Sequence, residues 1–152
     1  MATETAVTVL MRPDELDVAE RCIERGKQAF TEVGAALMDI RDRRGYRFVY
    51  KTFEAYLEQR WGWSRRTGYA YIEAAVVMGN VLTSAQNGHS PNLRQAVELA
   101  PLGLEAQREI AGRVDFSQTT VRDLRRIVRD ERREMLRGNN AELVKGTAPV
   151  PV

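Results

Sequence analysis

Cysteine, histidine and long apolar runs are scarce in this 152-residue chain, and each scarcity removes a class of function. Cys22 is alone, which excludes an intramolecular disulfide, and with His89 the only histidine no Cys/His metal cluster can be assembled. Neither a metal nor a cofactor is expected. His89 falls in a polar stretch with no Ser, Cys or carboxylate arrangement to make it a base, and no glycine loop is built to cradle phosphate, so an enzyme is not expected. No apolar run approaches the roughly 18 residues that a spanning helix needs, and the N-terminus lacks the basic-then-apolar pattern of a secretory leader. The expectation is a cytoplasmic protein with no membrane partner. Internal repeats and low-complexity blocks are absent as well.

What is present fits a soluble domain: hydrophobic residues make up 43% and charged residues 29%. The length suits one folded unit with a real core. A net charge of +2 conceals uneven placement. Residues 1–32 hold seven acids against four bases, whereas Arg41, Arg43, Arg44, Arg47 and Lys51 crowd around the single acid Asp42. Residues 122–137 hold seven arginines against four acids. Arginine has the planar fork that suits phosphate and guanine edges, so these patches suggest an anionic partner; solvated helix faces are the competing reading.

The periodicity is helical throughout, which predicts an all-α fold. Residues 1–12 carry no pattern and are predicted to be a mobile arm. From Pro13, a stripe runs through Leu16, Ala19, Ile23, Gly26, Phe30, Val33, Leu37 and Ile40. It predicts one long N-terminal helix of about 45 Å or, if Gly26 divides it, a helix pair. The stripe serves either the core or a dimer seam, with core preferred because Gly and Ala make a weak coiled coil. Gly45 is predicted to end this element, and Tyr46 to Lys51 read as a connector. Thr52 is the predicted N-cap of a helix Phe53 to Trp61 that stops at Gly62, and Ser64 the cap of a helix from Arg65 to about Met78. Supporting helices are predicted over Leu93 to Ala100, Leu104 to Val114, and from a Thr120/Asp123 cap to about Arg137. The core domain thus spans 13–137, and residues 138–152 are predicted to form a disordered tail.

The strongest local signal is the segment 52–77: two short helices around a glycine turn, with a serine cap on the second, as a helix-turn-helix requires. Leu57, Trp61, Trp63 and Tyr71 fall on the packing side. Ser64, Arg65, Arg66, Tyr69, Ala70 and Glu73 fall on the other. Arginine in the first turn of such a helix can make bidentate contacts to guanine, and the cap with its open N–H groups can take a phosphate. The candidate DNA contacts are therefore Ser64, Arg65, Arg66, Thr67, Tyr69 and Glu73, with Arg44, Arg47 and Lys51 as flanking cations. Glu58 stands where a small residue is common, and Gly68 where an aliphatic one is. Nine of the eleven aromatics lie between Tyr46 and Tyr71. Phe53, Tyr56, Trp61 and Trp63 are assigned to core, and Tyr46, Tyr50 and Tyr69 remain candidates for contact with nucleic acid.

The runs Trp61-Gly-Trp-Ser-Arg-Arg-Thr67, Ile72-Glu-Ala-Ala75, Ser90-Pro-Asn-Leu-Arg-Gln-Ala96, Leu99-Ala-Pro-Leu102, Glu105-Ala-Gln-Arg-Glu109 and Thr120-Val-Arg-Asp-Leu124 resemble the helical DNA-binding domain of ParB-type partition proteins. Related stretches occur in plasmid and actinobacterial phage regulators. The resemblance covers residues 53–130 and implies that the helix opened by Ser64, Arg65 and Arg66 reads a palindromic site. The family's N-terminal nucleotide-binding region has no counterpart in residues 13–43, so CTP-dependent sliding is not implied.

Together these readings point to a sequence-specific double-stranded DNA-binding protein at the nucleoid, a homodimer on half-sites about 34 Å apart. A transcriptional regulator of a phage, plasmid or other mobile element is preferred. A centromere-binding partition factor would need a segment for its motor ATPase, and only the arm or the tail is at hand. A helical interaction module without DNA binding is the rival class. For the arginine-rich last helix two readings stand level: a cation line along the phosphate backbone, or a surface helix neutralised by Asp123, Asp130, Glu131 and Glu134.

Overall fold

The computed structural model describes residues 9–25, 30–84 and 89–145, the side chains of 22–25 and 142–145 aside. Among the described residues the protein is all-helical, without strands: α1 (Pro13–Arg25), α2 (Phe30–Asp42), a 3-10 turn (Gly45–Phe48), α3 (Phe53–Trp61), α4 (Arg65–Val81), α5 (Leu93–Leu99), α6 (Leu104–Arg113) and α7 (Val121–Lys145). None of these helices is long and apolar enough to cross a membrane. Backbone contacts divide the chain into two compact units, 1–79 and 80–152, a division that chain length does not announce.

In the first unit the stripe of residues 16–40 doubles back instead of forming one long rod. Met11 N–H donates to the Arg43 carbonyl at 2.9 Å, so the start of α1 lies beside the end of α2 and the two helices run antiparallel. Gly26, the anticipated dividing point, lies outside the described residues. Val33, Leu37 and Ile40 have no exposed surface, and Leu16 and Ala19 pack against the same cluster, so these five residues of the stripe serve the core. Each apolar side chain removed from water there contributes about 1.5–3 kcal/mol.

The expectation of a mobile arm over 1–12 needs correcting for its last residues; residues 1–8 lie outside the described set. Met11 is 2% exposed and belongs to the core. Its slot exists because Gly45 has no Cβ: one placed there would run into Met11 Sδ and lie 3.2 Å from its Cγ. Gly45 is therefore chosen for space, and the left-handed residue after α2 is Arg44, at φ 54°. Arg43 closes the pairing, donating to Glu15 Oε2 at 2.7 Å, while Arg12 N–H donates to the same oxygen at 2.8 Å.

Those two donors, with the Arg43 guanidinium first, hold the Glu15 carboxyl below the ordinary glutamate range. Because its folded value lies under its unfolded one, the contribution is present above about pH 4.3 and is lost as pH falls through the folded value. A carbon-13 titration should place the Glu15 midpoint below that of a free glutamate and move it up in Arg43→Gln. An unshifted midpoint in the wild type would mean that the clamp does not form in solution.

Tyr56, whose side chain is fully buried, joins two helices. Its hydroxyl donates to Glu20 Oε1 at 2.9 Å, tying α3 to α1, and Arg60 adds a 3.5 Å ion pair to the same carboxylate. Burial, opposed by a hydrogen bond with Trp61, pushes the Tyr56 hydroxyl well above the usual phenol range. It therefore stays protonated and able to donate.

The second unit rests on two buried glutamines. Gln95 Nε2 donates to the carbonyls of Phe116 at 3.0 Å and Thr119 at 2.8 Å, while its Oε1 accepts from Asn92 N–H in a capping box that opens α5. Gln107 Nε2 donates to the Leu99 and Leu102 carbonyls at 3.2 and 2.8 Å, and its Oε1 accepts from Asn80 Nδ2 at 2.8 Å. The Phe116, Thr119 and Leu102 carbonyls gain side-chain donors in this way, while that of Leu99 also accepts from Leu102 N–H at 3.0 Å. α5 packs on α7, whose Leu124 and Val128 are buried. The expectation of disorder from Gly138 is overturned as far as Lys145, since α7 continues that far. Ala141, Glu142, Leu143 and Lys145 are good helix formers, and the helix, already nucleated upstream, passes Gly138, Asn139 and Asn140 to reach them. Residues 146–152 lie outside the described set.

Candidate nucleic-acid interface

The segment 52–77 folds as a helix, a three-residue turn and a helix, and each cap forms as its residue type requires. Thr52 accepts from Ala55 N–H at 3.1 Å to open α3. Gly62 takes the left-handed conformation, φ 67°, where a side chain would be strained. Its N–H donates to the Glu58 carbonyl at 2.9 Å, and Trp63 N–H to that of Leu57 at 3.0 Å, closing the carbonyl end of α3. Trp63, within the turn, stacks on Tyr71 of α4 at 5.1 Å and on Trp61 of α3 at 5.8 Å. The turn is held from both sides. α4 does not stop at Met78 but continues through Gly79 and Asn80 to Val81, where the side chain is buried.

Two glycines let α4 come close to its neighbours. A Cβ on Gly68 would lie 2.8 Å from Leu57 Cδ2, so the residue that looks out of place in the sequence is the one that admits Leu57 between α3 and α4. Glu58, the other apparent misfit, is exposed and unconstrained by packing. On α2, a Cβ on Gly34 would overlap the Tyr71 carbonyl oxygen and lie 2.6 Å from Ala75 Cβ. α4 is thereby seated against both α2 and α3.

This seating leaves the first turn of α4 in solvent. Ser64, Arg65, Arg66 and Thr67 are all exposed. Ser64 Oγ accepts from Thr67 N–H at 3.1 Å and lies 2.9 Å from Thr67 Oγ1, and Gly68 N–H donates to the Ser64 carbonyl at 3.1 Å. The N–H groups of Arg65 and Arg66 have no acceptor among the described residues and stand open at the positive end of the helix dipole. Arg66 has no ion pair among the described residues. Arg65 does: its Nε is 3.7 Å from Glu54 Oε1, and its guanidinium lies 5.3 Å from the Tyr69 ring. An exposed pair of this kind is worth about 0–1 kcal/mol, little enough for a phosphate or base edge to replace.

Glu54 and Arg41 complete the site and stand outside the sequence-derived candidates. Tyr69 hydroxyl donates to Glu54 Oε1 at 3.4 Å, and the Arg41 guanidinium lies 5.8 Å from the Tyr69 ring. Tyr69 is thus flanked by two guanidinium groups, one from α2 and one from its own helix. The basic run around Asp42 was the only local sign of Arg41, and nothing local marked Glu54.

Ring contacts from Tyr46 to Phe53 at 5.8 Å and from Phe53 to Tyr69 at 5.9 Å set the 3-10 turn and the start of α3 beside this half of α4. Arg44, Arg47 and Lys51, from the same connector, are exposed and have no ion pair among the described residues. Glu73, two turns along α4, is exposed as well. Tyr46, Tyr50 and Tyr69 are half-buried, and Tyr50 meets Tyr56 edge-on at 5.5 Å. Their rings are engaged by neighbours, which disfavours them as open stacking platforms. Among the described residues no group of three or more His, Cys, Asp or Glu side chains converges as metal ligands would.

No protein-family model, no curated protein and no solved structure matches the chain.

Proposed function

We propose that this protein binds double-stranded DNA in a sequence-specific manner, with the first turn of α4 in the major groove. The observation that carries the reading is the exposed Ser64–Thr67 turn. It holds two arginines, one without an acidic partner among the described residues, and two N–H groups without an acceptor among them, on a helix seated by glycine contacts to two others. A guanidinium there can take guanine O6 and N7 together, and the open N–H groups favour a phosphate. Arg44, Arg47 and Lys51 on the adjoining connector supply cations for the backbone, which position the helix without reading sequence. The resemblance to ParB-type domains over residues 53–130 agrees with this assignment. We assign the protein the role of a transcriptional regulator of a phage, plasmid or other mobile element, acting as a homodimer at the nucleoid of the cytoplasm.

Fluorescence anisotropy against a sequence-selected duplex and an unrelated one, at two salt concentrations, tests the assignment. Wild type should prefer the selected duplex, and Arg66→Ala should weaken that binding by about 5- to 150-fold, the worth of one bidentate pair. Binding to the unrelated duplex should change much less. Absence of binding to either duplex at low salt would sink the proposal in favour of an interaction module. Salt-sensitive binding with no preference would remove base readout by α4.

A further inference from the structure

α7 carries a second surface that readout by α4 does not use. At 100° per residue, Arg122, Arg126, Arg129, Arg133 and Arg137 fall within about 80° of arc and extend over about 22 Å of helix. All five are exposed, and their line lies opposite the face on which Leu124 and Val128 are buried. The acids of this helix neutralise little of it. Arg126 reaches Asp123 at 3.4 Å and Arg129 Nε reaches Asp130 at 3.9 Å, both in solvent. Glu131 pairs with Arg113 at 2.7 Å instead, and Arg125, off the line, is the arginine that grips Glu98. Arg122, Arg133 and Arg137 have no ion pair among the described residues. From Arg132 to Ala141 every residue is exposed, so the line continues past the packed part of the helix.

We propose that this arginine line is a sequence-independent contact for the phosphate backbone of duplex DNA; the inference rests on the DNA-binding reading above. A row of exposed guanidinium groups, three of them without an ion pair among the described residues, matches a polyanion that presents a charge about every 1.7 Å along its axis. A membrane surface fits less well, because a helix lying on lipid needs a broad apolar face free, and here Leu124 and Val128 are buried, which leaves Met135 and Leu136 as the large apolar residues exposed on α7 among the described residues.

The test uses the full chain carrying Arg122→Gln, Arg133→Gln and Arg137→Gln together, and a second variant with lysine at the same positions. Each is titrated against the selected duplex, the unrelated duplex and vesicles of anionic phospholipid. The glutamine variant should lose roughly 10- to 100-fold affinity for both duplexes alike. Its slope of log affinity against log salt should fall by about 2.7, near 0.9 per phosphate contact removed. The lysine variant should keep most of that slope, and both should melt like the wild type because the three residues are exposed and have no ion pair among the described residues. Unchanged duplex affinity and slope, with the wild type still binding, would overturn the inference and leave α4 readout standing. So would a loss confined to vesicles, or a loss of sequence preference in place of affinity. If the wild type binds neither duplex, both readings fall together.

Discussion

Gly34→Ala should destabilise the first unit by about 3 kcal/mol or more, the upper end of what overpacking costs. The added Cβ would overlap the Tyr71 carbonyl oxygen and lie 2.8 Å from its carbonyl carbon and 2.6 Å from Ala75 Cβ. A side-chain tip can rotate away, but a helix backbone moves only by shifting α4 as a whole. That shift would also displace the Ser64–Thr67 turn, so DNA affinity should fall along with stability. For a unit of this size the melting temperature should drop by more than about 12 °C. Gly79→Ala is the matched control: a Cβ there meets nothing within 4 Å, and replacing glycine inside α4 should add about 0.5–1 kcal/mol. If Gly34→Ala melted within a few degrees of the wild type, α4 could not be seated on α2 as described.

The second large effect is expected at Gln95, 3% exposed. Gln95→Leu retains the volume but removes the donors that satisfy the Phe116 and Thr119 carbonyls and the acceptor for Asn92 N–H. A buried polar group left unpaired costs about 1–3 kcal/mol, so a loss of roughly 2–4 kcal/mol is expected in denaturant melts. Gln95→Glu keeps the shape and distinguishes packing from hydrogen bonding. An ionised carboxylate would face two carbonyls with nothing to donate, and its pKa should rise in the folded state. A raised folded value means that its damage grows as pH rises above the ordinary carboxylate range and is relieved in acid. A Gln95→Leu variant as stable as the wild type would show that water replaces those bonds. The segment leading into α7 would then not depend on this side chain.

Both residues lie where reading along the chain is weakest. Gln95 presents as a polar residue in a short helix, and Gly34 as a small residue beside an apolar stripe; neither shows which carbonyl it approaches. Gly68 is the sharper case. Its departure from the usual helix-turn-helix pattern looks like a fault until Leu57 is found occupying the space that a side chain would need. Gly45 is similar, since its position after α2 suggests a conformational role, which Arg44 performs at φ 54° while Gly45 makes room for Met11. Within the candidate interface, exposure of Ser64, Arg65, Arg66 and Thr67 follows from periodicity and a cap. The pairing of Arg65 with Glu54, and the two guanidinium groups around Tyr69, do not.

The amino-acid sequence by itself determined the helical class, the Thr52 and Ser64 caps, the Gly62 turn and the solvent-facing first turn of α4. Each depends on groups three or four residues apart, where backbone geometry dictates who meets whom. Only the tertiary structure decided that residues 13–42 fold back on themselves, that Met11 enters the core, and that Arg41 and Glu54 border the candidate interface. It also decided that three arginines of α7 have no ion pair among the described residues. These outcomes depend on which helix faces pack together across long separations in sequence. That choice is made by the whole set of competing side-chain volumes and charges, and no local pattern encodes it.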